Sequence, residues 1–218
     1  MTEKKIGILG GTFDPVHFGH LQLAKAALNE CSLEKIIFIP AADPPHKKHL
    51  NISSFHHRLA MLEIVCSSQN KFSVSQIEHD LPKPSYTIDT LKYLQKKHPD
   101  SQLFFIIGGD SLLDFPEWKS YQDIFKRVHV VIANRKGLQI ALLKDVLRDL
   151  GFTQVENRWK GIYGMKDVLF LQTVPDPYSS SIIREMFIKN EIPRQYLLEK
   201  VINYIQDHNL YRTCEMEK

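Results

Sequence analysis

Three cysteines, Cys31, Cys66 and Cys214, stand far apart in 218 residues, and no C-x-x-C occurs. An odd, scattered set excludes a disulfide framework and a cysteine zinc site, and it fits the reduced thiols of a cytoplasmic protein. Long apolar runs are missing too, since nothing approaches the ~20 residues that cross a bilayer. The apolar stretch in MTEKKIGILGG is too short for a signal peptide and breaks at glycine. No strong excess of one charge is present: 28 Lys and Arg face 25 Asp and Glu, for a net charge of +3. That suits an anionic small molecule and is too small and dispersed for a nucleic-acid surface. Repeats, low-complexity tracts and linkers are also lacking. With 43% hydrophobic and 24% charged residues, the chain reads as one soluble α/β domain, 1–218, with no partner membrane or nucleic acid.

What is present is alternation. Short β-rich runs occur at Lys5–Leu9, Lys35–Pro40, Phe72–Glu78, Leu103–Gly108, Val128–Asn134 and Val168–Val174. Helical patterns lie between them at Gly19–Asn29, Ser54–Ser67, Thr87–His98, Tyr121–Lys126 and Leu138–Leu150. Two more, Ser180–Asn190 and Arg194–His208, make a helical C-terminal part of about 179–211. IIFIP, LFFII and HVVIA are unbroken apolar runs, as strands covered on both faces require. The pattern predicts a doubly wound parallel sheet of Rossmann-like type. The loops at 41–53 and 81–86 are expected near strand ends, where such sheets bind ligands.

The first strand runs into GGTFDPVHFGH, Gly10 to His20. Gly10 and Gly11 permit a tight turn and close backbone approach, and Pro15 restricts the loop. A helix starting near Phe18 or Gly19 would turn its first N–H groups and its dipole toward an anion. His17 and His20 would then share one face at that end, where two N–H donors could hold phosphate oxygens. No G-K-[ST] follows and no G-x-G-x-x-G is present, so neither a Walker loop nor a dinucleotide fingerprint is at hand. Spacing alone leaves a structural turn open, and an H-x-x-H metal pair lacks a third ligand.

Later segments carry further candidates. SSSIIR offers Ser179 or Ser180 as a helix cap, with Arg184 one turn in and able to fork onto a phosphate. IGGDSL ends a buried strand, where Asp110 could meet a ribose hydroxyl, help position Mg2+, or cap a helix over Ser111–Phe115. Thr87 follows a Pro-Ser-Tyr turn and opens a helix, so its amide could receive an anion. Trp118 could offer a flat apolar face, although core burial is the commoner fate of tryptophan. The remaining histidines show no ligand spacing, and adjacent His56 and His57 are expected at the surface.

GGTFDPVHFGH resembles the G-x-F-D-P-x-H-x-G-H signature of the nucleotidylyltransferase superfamily. PPHKK (Pro44–Lys48), SYTIDTL (Ser85–Leu91), IGGDSL, Trp118 and SSSIIR (Ser179–Arg184) follow in the order found in bacterial nicotinate-nucleotide adenylyltransferases. The resemblance covers essentially the whole chain. One departure is that Tyr178 and Ser181 stand where the family's I-S-S-T-x-I-R has Ile and Thr.

The resemblance implies adenylyl transfer from ATP, bound with Mg2+, to nicotinate mononucleotide. It places Gly10, Gly11, Thr12, Phe13, His17, His20, Gly108, Asp110, Ser180, Ser181 and Arg184 around ATP. It gives Lys47, Ser85, Tyr86, Thr87, Asp110 and Trp118 to the mononucleotide. His17, His20, Lys47 and Arg184 would carry the catalysis. Three competing readings are another phosphate acceptor, a regulatory module without turnover, and a nucleic-acid-binding protein or an aminoacyl-tRNA synthetase fragment. SYTIDTL and Trp118 oppose the first, intact His17, His20 and Arg184 the second, and the missing K-M-S-K-S loop the third.

Overall fold

Successive side chains of the central strands go to opposite faces, so each unbroken apolar run feeds two cores. Ile37 and Ile39 join one hydrophobic cluster with Leu103, Phe105, Ile107, Val130 and Ile132. Ile36 and Phe38 join the other with Phe104, Ile106, Val131 and Ala133. That two-sided burial is why these segments read as continuous rather than alternating. The computed structural model describes residues 3–42, 52–134, 139–174, 176 and 178–212.

The strands are β1 (Lys4–Gly11), β2 (Lys35–Pro40), β3 (Phe72–Val74), β4 (Ser101–Gly108), β5 (His129–Ala133), β6 (Phe152–Val155), β7 (Arg158–Gly161) and β8 (Val168–Phe170). They form one sheet in the order β3-β2-β1-β4-β5-β8-β7-β6. β3 through β8 pair in parallel along that order, and β7 and β6 are antiparallel. The described helices are α1 (Phe18–Glu30), α2 (Phe55–Ser67), α3 (Ile77–Asp80), α4 (Thr87–Lys97), α5 (Gly109–Leu113), α6 (Tyr121–Arg127), α7 (Ile140–Asp149), α8 (Ser180–Ile188) and α9 (Glu199–Asp207). The predicted doubly wound sheet is therefore present. No helix among the described residues is long and apolar enough to cross a membrane.

Five details differ from the sequence reading. The strand expected over Phe72–Glu78 stops at Val74, and Ile77 enters its core from α3 instead. Apolar residues at 72, 74 and 77 suit a short strand or a helical turn equally, so periodicity could not separate them. The strand at Val168 ends at Phe170 because the Gln172 and Thr173 amides donate to the Glu30 carboxylate at 2.6 and 3.0 Å. The β6–β7 hairpin was not anticipated, since its short strands bury only Phe152 and Trp159. The last helix begins at Glu199 rather than Arg194, beyond a turn that follows Pro193. Of the two adjacent histidines, His56 is exposed, whereas His57 is half-buried with Nδ1 3.0 Å from the Tyr204 hydroxyl.

β1 has β2 on one side and β4 on the other, so the chain winds outward in both directions from this pair. Open α/β sheets bind ligands at such a switch point, outside the carboxyl ends of the strands. Leu9↔Ile106 is the last pair between β1 and β4, so Gly10–Gly11 and Ile107–Gly108 follow side by side at the carboxyl ends of the two strands.

Phe38 is fully buried in β2, edge-to-face against Phe13 at 5.7 Å and Phe72 at 5.3 Å. Phe38→Ala should lower unfolding free energy by about 3–5 kcal/mol, the usual range for a buried phenylalanine. Urea unfolding tests this, and a loss below about 1 kcal/mol would show that the site collapses around the gap.

Candidate active site

The loop after β1 carries little glycine-specific geometry. Neither Gly10 nor Gly11 has a positive φ; the left-handed residue is Phe13, at φ 53. A bulky residue rarely adopts that conformation, and here it turns the ring back over Gly11, where a Cβ would lie 3.0 Å from the ring. Gly11 therefore serves close approach, as expected, and Phe13 makes the turn. A Cβ on Gly10 would sit 3.9 Å from Phe105, whose ring is edge-on to Trp118 at 6.2 Å. The bare edge of Gly10 thus adjoins the aromatic group built around Trp118.

α1 begins at Phe18 with His17 as its N-cap. The Phe18 amide donates to the Tyr196 carbonyl at 2.8 Å, and the His20 amide to the His17 carbonyl at 2.9 Å. Fewer free amides face an anion here than the sequence suggested, so the burden shifts to the imidazoles and the helix dipole. The two rings lie 3.8 Å apart, with His20 edge-on to Phe13 at 4.9 Å. The His17 backbone N–H donates to His20 Nδ1 at 3.2 Å. A neutral His20 with Nδ1 as acceptor carries its proton on Nε2, which makes that atom a donor.

The start of α8 docks on the same loop. The Ser180 hydroxyl donates to the Pro15 carbonyl at 3.1 Å. Arg184 donates from Nη1 to the Asp14 carbonyl at 2.7 Å and from Nη2 to the Ser181 hydroxyl at 3.3 Å. Ser179 occupies the N-cap position without a side-chain cap bond. Gly10 to His20 and Ser180 to Arg184, far apart in sequence, thus form one surface at the β1 end. Tyr178 sets its ring 6.3 Å from His17 and beside Gly19, where a Cβ would meet both rings closely. Its hydroxyl donates to Asp176 at 3.1 Å, so the unusual tyrosine packs the entrance to α1.

Asp110 does not cap a helix over Ser111–Phe115. α5 starts at Gly109 with Gly108 as N-cap, and Asp110 is exposed in the first turn. A Cβ on Gly108 would collide with Asp110 Oδ1, so the carboxylate folds over a bare backbone. Thr87 opens α4 as predicted, with Tyr86 at the cap and Ser85 before it. Trp118 is half-buried, stacked on Phe115 at 4.8 Å, and joins the rim of a core rather than its centre. Lys119 ties the two segments together, with its ammonium 4.0 Å from the Tyr86 ring centroid and 3.4 Å from Asp89 Oδ2. Lys47 lies outside the described residues, as do the other members of PPHKK.

Sequence reading missed Asp14, Arg58, Lys119 and Tyr211. Asp14 is 2% exposed and Arg58 is 2% exposed, both beneath the loop. Arg58 donates from Nη1 to the Thr12 carbonyl at 2.9 Å and from Nε to the Ser53 carbonyl at 3.1 Å. Burial pulls its guanidinium below the usual arginine range, against the opposing charges of Asp14 and Glu78. Glu78 is raised by burial, with the Ala42 amide, Thr90 hydroxyl and Arg58 acting the other way. Asp14 belonged to the quoted motif, and its partners come from remote segments that no local pattern connects.

Set against known proteins, residues 8–186 match the cytidylyltransferase-like family. The probable nicotinate-nucleotide adenylyltransferase of Desulfotalea psychrophila is 40% identical over 212 residues, 95% of this chain and 100% of that protein. That of Clostridium tetani is 36% identical over 209 residues, 96% of this chain and 100% of its own. In shape, the chain matches Plasmodium falciparum nicotinic acid mononucleotide adenylyltransferase complexed with NaAD at a TM-score of 0.74. That match covers 95% of this chain and 97% of the other at 22% identity, and it shows the shared fold. The chain belongs to the cytidylyltransferase-like family of nucleotidyltransferases and, within it, to the nicotinate-nucleotide adenylyltransferases.

Gly108→Ala tests whether the covered backbone matters for nucleotide binding. Gly108 has φ −72 and ψ 153, which alanine adopts without strain. The Asp110 carboxylate must move aside, so ATP affinity by calorimetry should fall while thermal stability holds. Unchanged affinity would count against the expected place of Asp110 beside the nucleotide.

Proposed function

We propose that this protein transfers the adenylyl group of ATP to the phosphate of nicotinate mononucleotide, yielding nicotinate adenine dinucleotide and pyrophosphate in NAD biosynthesis. The observation that carries the reading is the convergence of His17, His20 and Arg184 on the switch point of a chain that matches such enzymes end to end. We read the C-terminal helices as part of the same catalytic unit, which the reach of Arg184 from α8 to the first strand's loop supports.

A phosphate oxygen of the mononucleotide attacks the α-phosphorus of ATP, and the bond from that phosphorus to the pyrophosphate oxygen breaks. The attacking group has a second pKa near ~6 and is mostly ionised at neutral pH, so no general base is needed. The difficulty is to hold two anions in line and to offset charge on the leaving pyrophosphate. His20 Nε2–H, His17, the α1 dipole, Arg184 and the serines of α8 are the donors assigned to the triphosphate. Lys47 would add a point charge there.

No group of three or more His, Cys, Asp or Glu able to hold a metal is assembled among the described residues. This donor set fits a Mg2+ that enters on ATP phosphates and keeps waters, with Asp110 as its protein carboxylate. The ion supplies charge neutralisation at the phosphates when bound.

Tyr86, Thr87 and Trp118 are assigned to the nicotinate ring, with Trp118 as its flat wall and the amides at the start of α4 facing its carboxylate. Lys119 adds a cation to that end. Pyrophosphate release from ATP across a panel of acceptors tests the whole reading. Release only with phosphopantetheine or glycerol phosphate would replace the acceptor, and no release would favour a binding module.

His20→Ala should reduce kcat by about 10²–10³, the usual effect of losing one preorganised donor, with little change in folding. Turnover near that of the unaltered chain would end this role for His20.

The acid should be preferred to the amide. A carboxylate only accepts hydrogen bonds, whereas the amide's NH2 would face a donor with nothing to accept. Such mismatches discriminate by up to ~10⁴, and we expect at least roughly a hundredfold in kcat/KM for nicotinate over nicotinamide mononucleotide. Equal kcat/KM values would refute the selective wall and leave the transfer chemistry standing.

A further inference from the structure

We propose that Tyr211 is a positioning residue for the ATP site: by satisfying Asp14 from the far end of the chain, it keeps Arg184 available to the phosphates. The inference rests on the adenylyl-transfer reading for the role of Arg184. Its geometry is independent of that reading.

Tyr211 lies 197 positions from Asp14, and its hydroxyl donates to Asp14 Oδ1 at 2.7 Å. The other carboxylate oxygen accepts the Ser53 amide at 3.2 Å and lies 4.0 Å from Arg184 Nη1. That same Nη1 donates to the Asp14 carbonyl, so the backbone of Asp14 holds the guanidinium while the hydrogen bonds to its carboxylate come from Ser53 and Tyr211. Asp14 is 2% exposed, and a carboxylate so deeply buried requires donors. With the Tyr211 hydroxyl removed, the cation already 4.0 Å from the carboxylate is Arg184. The carboxylate would then draw the guanidinium inward, away from a bound triphosphate.

Two further observations support a positional role over plain packing. Tyr211 has φ 61, a left-handed conformation that bulky residues seldom adopt, and Phe13 at the other end of the network has φ 53. Both departures turn a side chain toward the loop. The Tyr211 hydroxyl also remains a donor, because burial and then the Asp14 charge push its ionisation well above the usual tyrosine range. Arg58 completes the support by fixing the carbonyls of Thr12 and Ser53 on either side. The C-terminal segment is thus wired to the ATP site through one carboxylate.

Tyr211→Phe in the full-length chain is the test, since it deletes only the hydroxyl and keeps the ring that packs 6.0 Å from Phe187. ATP affinity by calorimetry and ATP KM should both weaken by about tenfold, within what a hydrogen bond to a charged group contributes. The KM for nicotinate mononucleotide should change much less. Asp14→Asn added to Tyr211→Phe should recover part of the ATP affinity, because it removes the charge that competes for Arg184. In an Arg184→Lys background, Tyr211→Phe should cost less than it does alone. Unchanged ATP affinity, or a loss shared equally by both substrates and matched by lower thermal stability, would overturn the proposal. The same holds for additive effects of Tyr211→Phe and Arg184→Lys. Absence of pyrophosphate release from the unaltered chain would sink the transfer reading instead, and calorimetry with ATP would still judge Tyr211.

Discussion

The buried carboxylate of Asp14 is the constraint on which the rest of the site depends. A charge 2% exposed persists only with donors around it, and those found among the described residues come from far along the chain. They come from Ser53 before α2 and from Tyr211 after α9, while Arg184 of α8 grips the carbonyl of the same residue. Each bond is short-range, but together they fix one loop from three distant parts of the chain. The position of this loop is therefore a property of the whole fold.

In the proposed reaction, neutral donors of the same loop would serve highly anionic substrates. His20 accepts a backbone N–H on Nδ1, which leaves its other nitrogen as a donor without any need for a positive ring. The backbone donors at the mouth of α1 are partly used, because Tyr196 takes the Phe18 amide. Side chains on two helices then share the work assigned to the triphosphate. Across the strand ends, Phe105 links the bare edge of Gly10 to Trp118, so the two proposed substrate halves meet over β1 and β4. Under the proposed transfer, these contacts would share one purpose, the alignment of two phosphates.

Much of this was legible without coordinates because parallel strands buried on both faces leave a distinctive record. IIFIP, LFFII and HVVIA each sit in the sheet, and the lines drawn from Lys5, Lys35, Leu103 and Val128 hold within a few residues. GGTFDPVHFGH carried its own geometry: a three-residue spacing at a helix start brings His17 and His20 within 3.8 Å. Illegible parts had weak local signals. β6 and β7 expose most of their side chains, and three apolar residues between Phe72 and Ile77 satisfied two periods at once.

The sequence by itself determined the doubly wound sheet, the helix mouth with its paired imidazoles, and the order of motifs that marks the family. Those features arise from residues within a few positions of one another, where spacing translates directly into geometry. Only the tertiary structure decided that Phe13 rather than a glycine makes the turn and that Asp110 folds over Gly108. It alone brought Lys119 to Tyr86, and Tyr211 to Asp14 across 197 positions. A buried charge must find its donors wherever the packed chain supplies them, and no periodicity in the sequence records where that will be.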